Sequence, residues 1–65
     1  MSQLTDAQHA YAMQRDEALF AGPRELRRIF RRACKRAANG SYVAKARVKA
    51  LRDEYAARGE EPPRV

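Results

Sequence analysis

Two interruptions constrain this chain more than any other feature. Ala21-Gly22-Pro23 and Asn39-Gly40-Ser41 divide its 65 residues into three stretches, each of helical length, and none shows the alternation of a strand. Thr5 is a good N-cap for the first stretch. Asp6 suits the positive end of a helix dipole, and Gln8 completes a capping box with Thr5. This predicts a helix over about 6–20, closed by Gly22 in a left-handed cap. Pro23 fits the first turn of a second helix over 23–38, with Glu25 near its N-terminus, and Asn39-Gly40 ends it. Ser41 caps a third helix over 42–58, which stops at Gly59. The expected fold is therefore all-α: a small three-helix assembly, read as a helical hairpin with a looser first helix. Residues 1–58 form the single domain and 59–65 a disordered tail, because Pro62 and Pro63 exclude helix.

The apolar residues indicate which faces pack. Leu26, Ile29, Phe30, Ala33, Cys34 and Ala37 form one continuous stripe on the second helix. Ala44, Val48, Leu51 and Tyr55 make a narrower stripe on the third. The first helix offers two competing faces, Leu4-Ala7-Tyr11-Ala18 and Ala10-Met13-Phe20. Short connections favour antiparallel neighbours.

A core drawn from so few large side chains is thin, and a chain this short buries only about 60% of its unfolded surface. One cysteine, Cys34, forms no internal disulfide, and His9 is a single histidine, so neither a staple nor a metal site is expected. A homodimer or a place in a larger complex is the expected supplement. No apolar run reaches the ~18 residues of a membrane span, and the first residues lack a signal-peptide layout. The expected compartment is the cytoplasm, or the nucleoid or nucleus where nucleic acid is the partner.

Charge carries the functional signal. The chain has a formal net charge of +6, unevenly divided. The first helix is net −2, while the second holds Arg24, Arg27, Arg28, Arg31, Arg32, Lys35 and Arg36 against Glu25 alone. Lys45, Lys49 and Arg52 form a further basic row on the third helix. Like charges recur at i, i+4 in 24–28, 27–31, 28–32, 31–35 and 32–36, which costs about 1–2.5 kcal/mol in all. A core of this size contributes only about 3–5 kcal/mol. A face kept for solubility alone more often mixes signs, so an anionic partner is expected. Arginine dominates the run, and its planar fork suits phosphate and carboxylate.

The first expectation is nucleic-acid phosphates bound with little sequence selectivity, since the basic face carries no aromatic for base stacking and few Asn or Gln side chains to read base edges. The alternative is a protein-interaction module whose basic helix docks on an acidic surface of a larger complex. A solvated charged face is the plainer reading of the same residues. A membrane-surface helix would spend the best core residues on lipid. A helix-turn-helix fits badly, because it sets Lys35 and Lys49 where that motif buries apolar side chains.

Nothing else points to chemistry. Cys34 lies on the apolar stripe and reads as a packed thiol. Asp16-Glu17, Asp53-Glu54 and Glu60-Glu61 are neighbours whose side chains diverge by about 100° on a helix. The three glycines sit at helix ends rather than in a phosphate loop. Tyr11, Tyr42 and Tyr55 read as packing residues with wet hydroxyls. The expectation is a non-enzymatic binding protein without a cofactor.

Overall fold

The computed structural model describes residues 5–64. It contains three helices, α1 (Asp6–Leu19), α2 (Pro23–Ala38) and α3 (Tyr42–Ala57), and no strand among the described residues. The helix starts follow the expected chemistry. Thr5 Oγ1 accepts from the Gln8 amide at 3.1 Å, and the Thr5 amide donates to Gln8 Oε1 at 2.9 Å, closing a capping box. Ser41 Oγ accepts from the Ala44 amide at 3.1 Å.

The helix ends differ from expectation in one respect. Gly40 (φ 89°) and Gly59 (φ 72°) take the left-handed conformation that terminates α2 and α3. Gly22 does not; it is extended, at φ −74° and ψ 171°, and serves as the N-cap of α2. The reason is Pro23, whose ring crowds the preceding residue out of helical geometry. The carbonyls at the end of α1 are instead capped across the fold. Arg58 Nη2 donates to the Ala18 carbonyl at 2.8 Å and the Ala21 carbonyl at 2.9 Å.

α3 is the central element. α2 runs antiparallel to it, with Phe30 meeting Tyr55 edge to face at 5.8 Å between ring centres. α1 runs parallel to α3, as three contacts in ascending order show: Tyr11 to Asp53, Arg15 to Glu54, and Ala18 to Arg58. α1 is thereby antiparallel to α2, so the expectation of antiparallel neighbours holds for both pairs of helices that a short connection joins. Expected to be the looser helix, α1 packs on α3 more extensively than α2 does.

The core joins Leu26, Phe30 and Ala33 of α2 to Leu51 and Tyr55 of α3, with Ala18 and Ala21 closing one end. The α2 and α3 stripes are thus the faces that pack. On α1 the buried side draws on both expected faces, Ala18 from one and Ala10 from the other. Met13 and Phe20 are 58% and 87% exposed, and Leu4 lies outside the described residues. Ala10, Gln14 and Ala18 turn inward instead, with Ala7 and Tyr11 half-buried beside them. Small residues let α1 lie close against the buried Ala50 of α3, and Gln14 is accommodated because its Nε2 donates to Glu17 at 2.8 Å.

Beyond Gly59 the chain is irregular. The Glu60 amide donates back to the Tyr55 carbonyl at 2.9 Å, and Pro62 and Pro63 are half-buried. No helix among the described residues is long and apolar enough to cross a membrane.

Candidate functional site

α2 has no polar residue on its buried stripe, so all seven of its basic side chains are driven to the surface. They do not form one face. At 100° per residue they spread over about half the helix circumference, from Arg27 round to Arg36. Arg27 flanks the stripe on one side, close enough to Tyr55 for its charge to oppose the rise in phenol pKa that burial causes. Arg28, Arg32 and Arg36 stand on the other side, where α1 faces α2 across the first half of α3. Arg24, Arg31 and Lys35 point outward between the two flanks.

A groove of about 300 Å³ lies between α1 and α2, with α3 as its base. Arg28, Arg32 and Arg36 line one wall, and Gln14 and Glu17 line the opposite one. Ile29, Ala33, Val43 and Ala44 supply an apolar floor. Arg47 enters from α3 as a fourth guanidinium. The groove is polar along its length: Glu17 and Glu25 lie toward the α1–α2 connection, and Arg36 and Ser41 lie toward the α2–α3 connection.

Arg47 was not among the residues singled out by the charge pattern. Its position was nonetheless marked: it falls three residues after Ala44 and four before Leu51, both buried, so it sits on the inner arc of α3. The expected row of Lys45, Lys49 and Arg52 is exposed but lies outside the groove. Lys49 is engaged elsewhere, 3.4 Å from Asp53 and 5.8 Å above the Tyr11 ring. Arg52 lies near Cys34, on the flank away from the groove.

The four groove arginines form no ion pair among the described residues. The three pairs there are Arg15–Glu54 at 3.1 Å, Arg58–Glu54 at 2.8 Å and Lys49–Asp53 at 3.4 Å. The two acids in these pairs, Asp53 and Glu54, both belong to α3; Glu17 and Glu25 line the groove without closing an ion pair to an α2 arginine.

Outside the groove, two titratable sites are set by their surroundings, the Tyr11–Asp53 pair and Cys34. The Asp53 carboxyl is held below its ordinary pKa chiefly by the hydrogen bond from Tyr11, which raises the phenol in turn. Burial pushes the Cys34 thiol up against the lowering influence of Arg52, so it stays protonated and a poor nucleophile. Asp53 and Glu54 diverge as expected, to separate partners. Among the described residues no three His, Cys, Asp or Glu side chains gather as metal ligands would.

No protein-family model matches the chain, and no curated protein or solved structure is similar enough to count as a match. The functional reading rests on the groove itself.

Proposed function

We propose that this protein is a non-enzymatic binder of polyanions, with nucleic-acid phosphates as its ligand and little selectivity for base sequence. The observation that carries the reading is the convergence of Arg28, Arg32, Arg36 and Arg47 on one groove with no ion-pair partner among the described residues. Four guanidiniums with only Glu17 and Glu25 beside them, toward one end of the groove, and no direct ion pair repel one another, and a row of phosphates relieves that repulsion while accepting forked hydrogen bonds. Arg27, Arg31 and Lys35 add long-range attraction without lining the site. Selectivity is low because the groove lining includes no aromatic ring and a single amide, Gln14, which is buried and already donates to Glu17. The protein acts where nucleic acid is, in cytoplasm, nucleoid or nucleus.

The test is anisotropy of a labelled oligonucleotide titrated with the protein across a salt series. Affinity should fall on a log–log plot with a slope of about −0.7 to −0.9 per phosphate neutralised. A slope near zero, or no binding at low salt, sinks the reading.

A second reading, interaction with protein, is favoured by the outer face of α1. His9, Ala12, Met13, Asp16, Leu19 and Phe20 follow helical spacing there, with Leu19 57% and Phe20 87% exposed. The occupant this face fits is a second copy of the chain. α1 is also the one acid-rich helix, so self-association there brings the least like charge together. The face shares no residue with the groove.

A further inference from the structure

Resting on the nucleic-acid reading above, we infer that the groove between α1 and α2 takes a single strand rather than a duplex. A duplex is read by convex elements, an α-helix or a β-ribbon that enters its ~12 Å major groove. The convergent arginines here line a depression of about 300 Å³, walled on its far side by Gln14 and Glu17 of α1. A duplex is too broad to descend into a depression of this volume and meets only its rim. One extended strand enters and sets its phosphates on the arginine wall, away from the end that holds Glu17.

The geometry of the wall suits a strand. Arg28, Arg32 and Arg36 are spaced four residues apart, so their origins along α2 step by about 6 Å and span about 12 Å, a track for a few consecutive phosphates. Arg47 reaches the same phosphates from the floor. Beneath them the half-buried Ile29 and Val43, backed by the buried Ala33 and Ala44, form a small apolar patch that a phosphate does not need. Unstacked bases and sugars do, since a single strand exposes apolar area that a duplex hides. No aromatic side chain lines the groove, so stacking falls to the guanidinium planes themselves. Glu17 and Glu25 turn phosphates away from the α1–α2 end, which keeps the footprint short.

The experiment compares one mixed-sequence oligonucleotide of about twelve nucleotides, single-stranded and annealed to its complement, on the full chain at several salt concentrations. The single strand should bind about tenfold tighter or more, with a salt slope of about −2 to −3 for three or four phosphates. The groove variant Arg32→Glu/Arg47→Glu should lose about tenfold or more in single-strand affinity. The outer variant Arg27→Glu/Arg31→Glu, with the same change of charge, should lose only about threefold. Arg32→Gln/Arg47→Gln repeats the test with a smaller change in charge, and helical circular dichroism checks that each variant folds. Equal or tighter duplex binding overturns the inference, as does an equal loss in the outer variant; both leave the nucleic-acid reading standing. No binding to either form overturns both.

Discussion

Arg58, the C-cap of α3, and Glu54, one turn earlier, form a 2.8 Å ion pair whose carboxylate is almost wholly buried, with Glu54 only 4% exposed. The same guanidinium caps the end of α1 through the Ala18 and Ala21 carbonyls, and Arg15 of α1 reaches the other oxygen of Glu54 at 3.1 Å. One buried acid thereby fastens α1 to α3, which is why the helix with the poorest apolar face is nonetheless well packed.

Removing Arg58 should therefore cost far more than a surface substitution. Arg58→Ala leaves Glu54 buried with one partner and the end of α1 uncapped, a loss of about 2–4 kcal/mol. Against about 3–5 kcal/mol from the core, the variant should be only marginally stable at room temperature. Urea denaturation followed by circular dichroism checks this; an unchanged midpoint refutes the role given to the pair.

The Tyr11–Asp53 hydrogen bond predicts stability that falls at both pH extremes. Asp53 has a lowered pKa in the fold, so its contribution is present above the unfolded carboxylate value of about 3.9 and is lost as pH drops through the folded value. Tyr11 has a raised pKa, so its contribution is present below about 10 and is lost as pH climbs through the folded value. Tyr11→Phe should lower the melting temperature slightly near neutrality and flatten the profile at both ends. A variant whose pH profile parallels the wild type refutes this coupling.

Charge crowding on α2 predicts a variant that is more stable and binds less well. Arg31→Gln relieves the 27–31 and 31–35 repulsions, a gain of about 0.4–1 kcal/mol. Added salt should stabilise the wild type more than this variant, since screening relieves the same repulsion. Thermal melts with and without salt decide it, and a destabilised Arg31→Gln counts against it.

For binding, Arg28→Glu/Arg32→Glu/Arg36→Glu reverses one wall of the groove without touching the buried stripe. Helical content should survive, while nucleic-acid binding falls for all sequences alike by about two orders of magnitude or more. Retained binding by the folded variant means that the wall is only a solvated surface.

The exposed stripe of α1 predicts self-association that Phe20→Glu abolishes. Sedimentation of the wild type should show a concentration-dependent dimer, and the variant a monomer of unchanged helicity, because Phe20 contributes nothing to the monomer's core. A monomeric wild type at high concentration refutes the interface.

The sequence by itself determined the three helices, most of their ends and the buried stripes of α2 and α3. Capping boxes, proline and left-handed glycines act within about one turn of backbone, so Thr5, Pro23, Ser41 and Gly59 are legible one at a time. Tertiary structure alone decided the rotation of α1. Its buried face is alanine and Gln14, which hydropathy undervalues, and what selects it is close approach to Ala50 and the demand of Glu54 for Arg15. It also decided which arginines converge. The α2 pattern distinguishes buried from exposed, but Arg28, Arg32 and Arg36 become a wall, and Arg47 their companion, only because α1 lies parallel on α3 and closes the far side. Periodicity reports how one helix divides its own surface; where a third helix lies across that surface is set by long-range packing that no local repeat encodes.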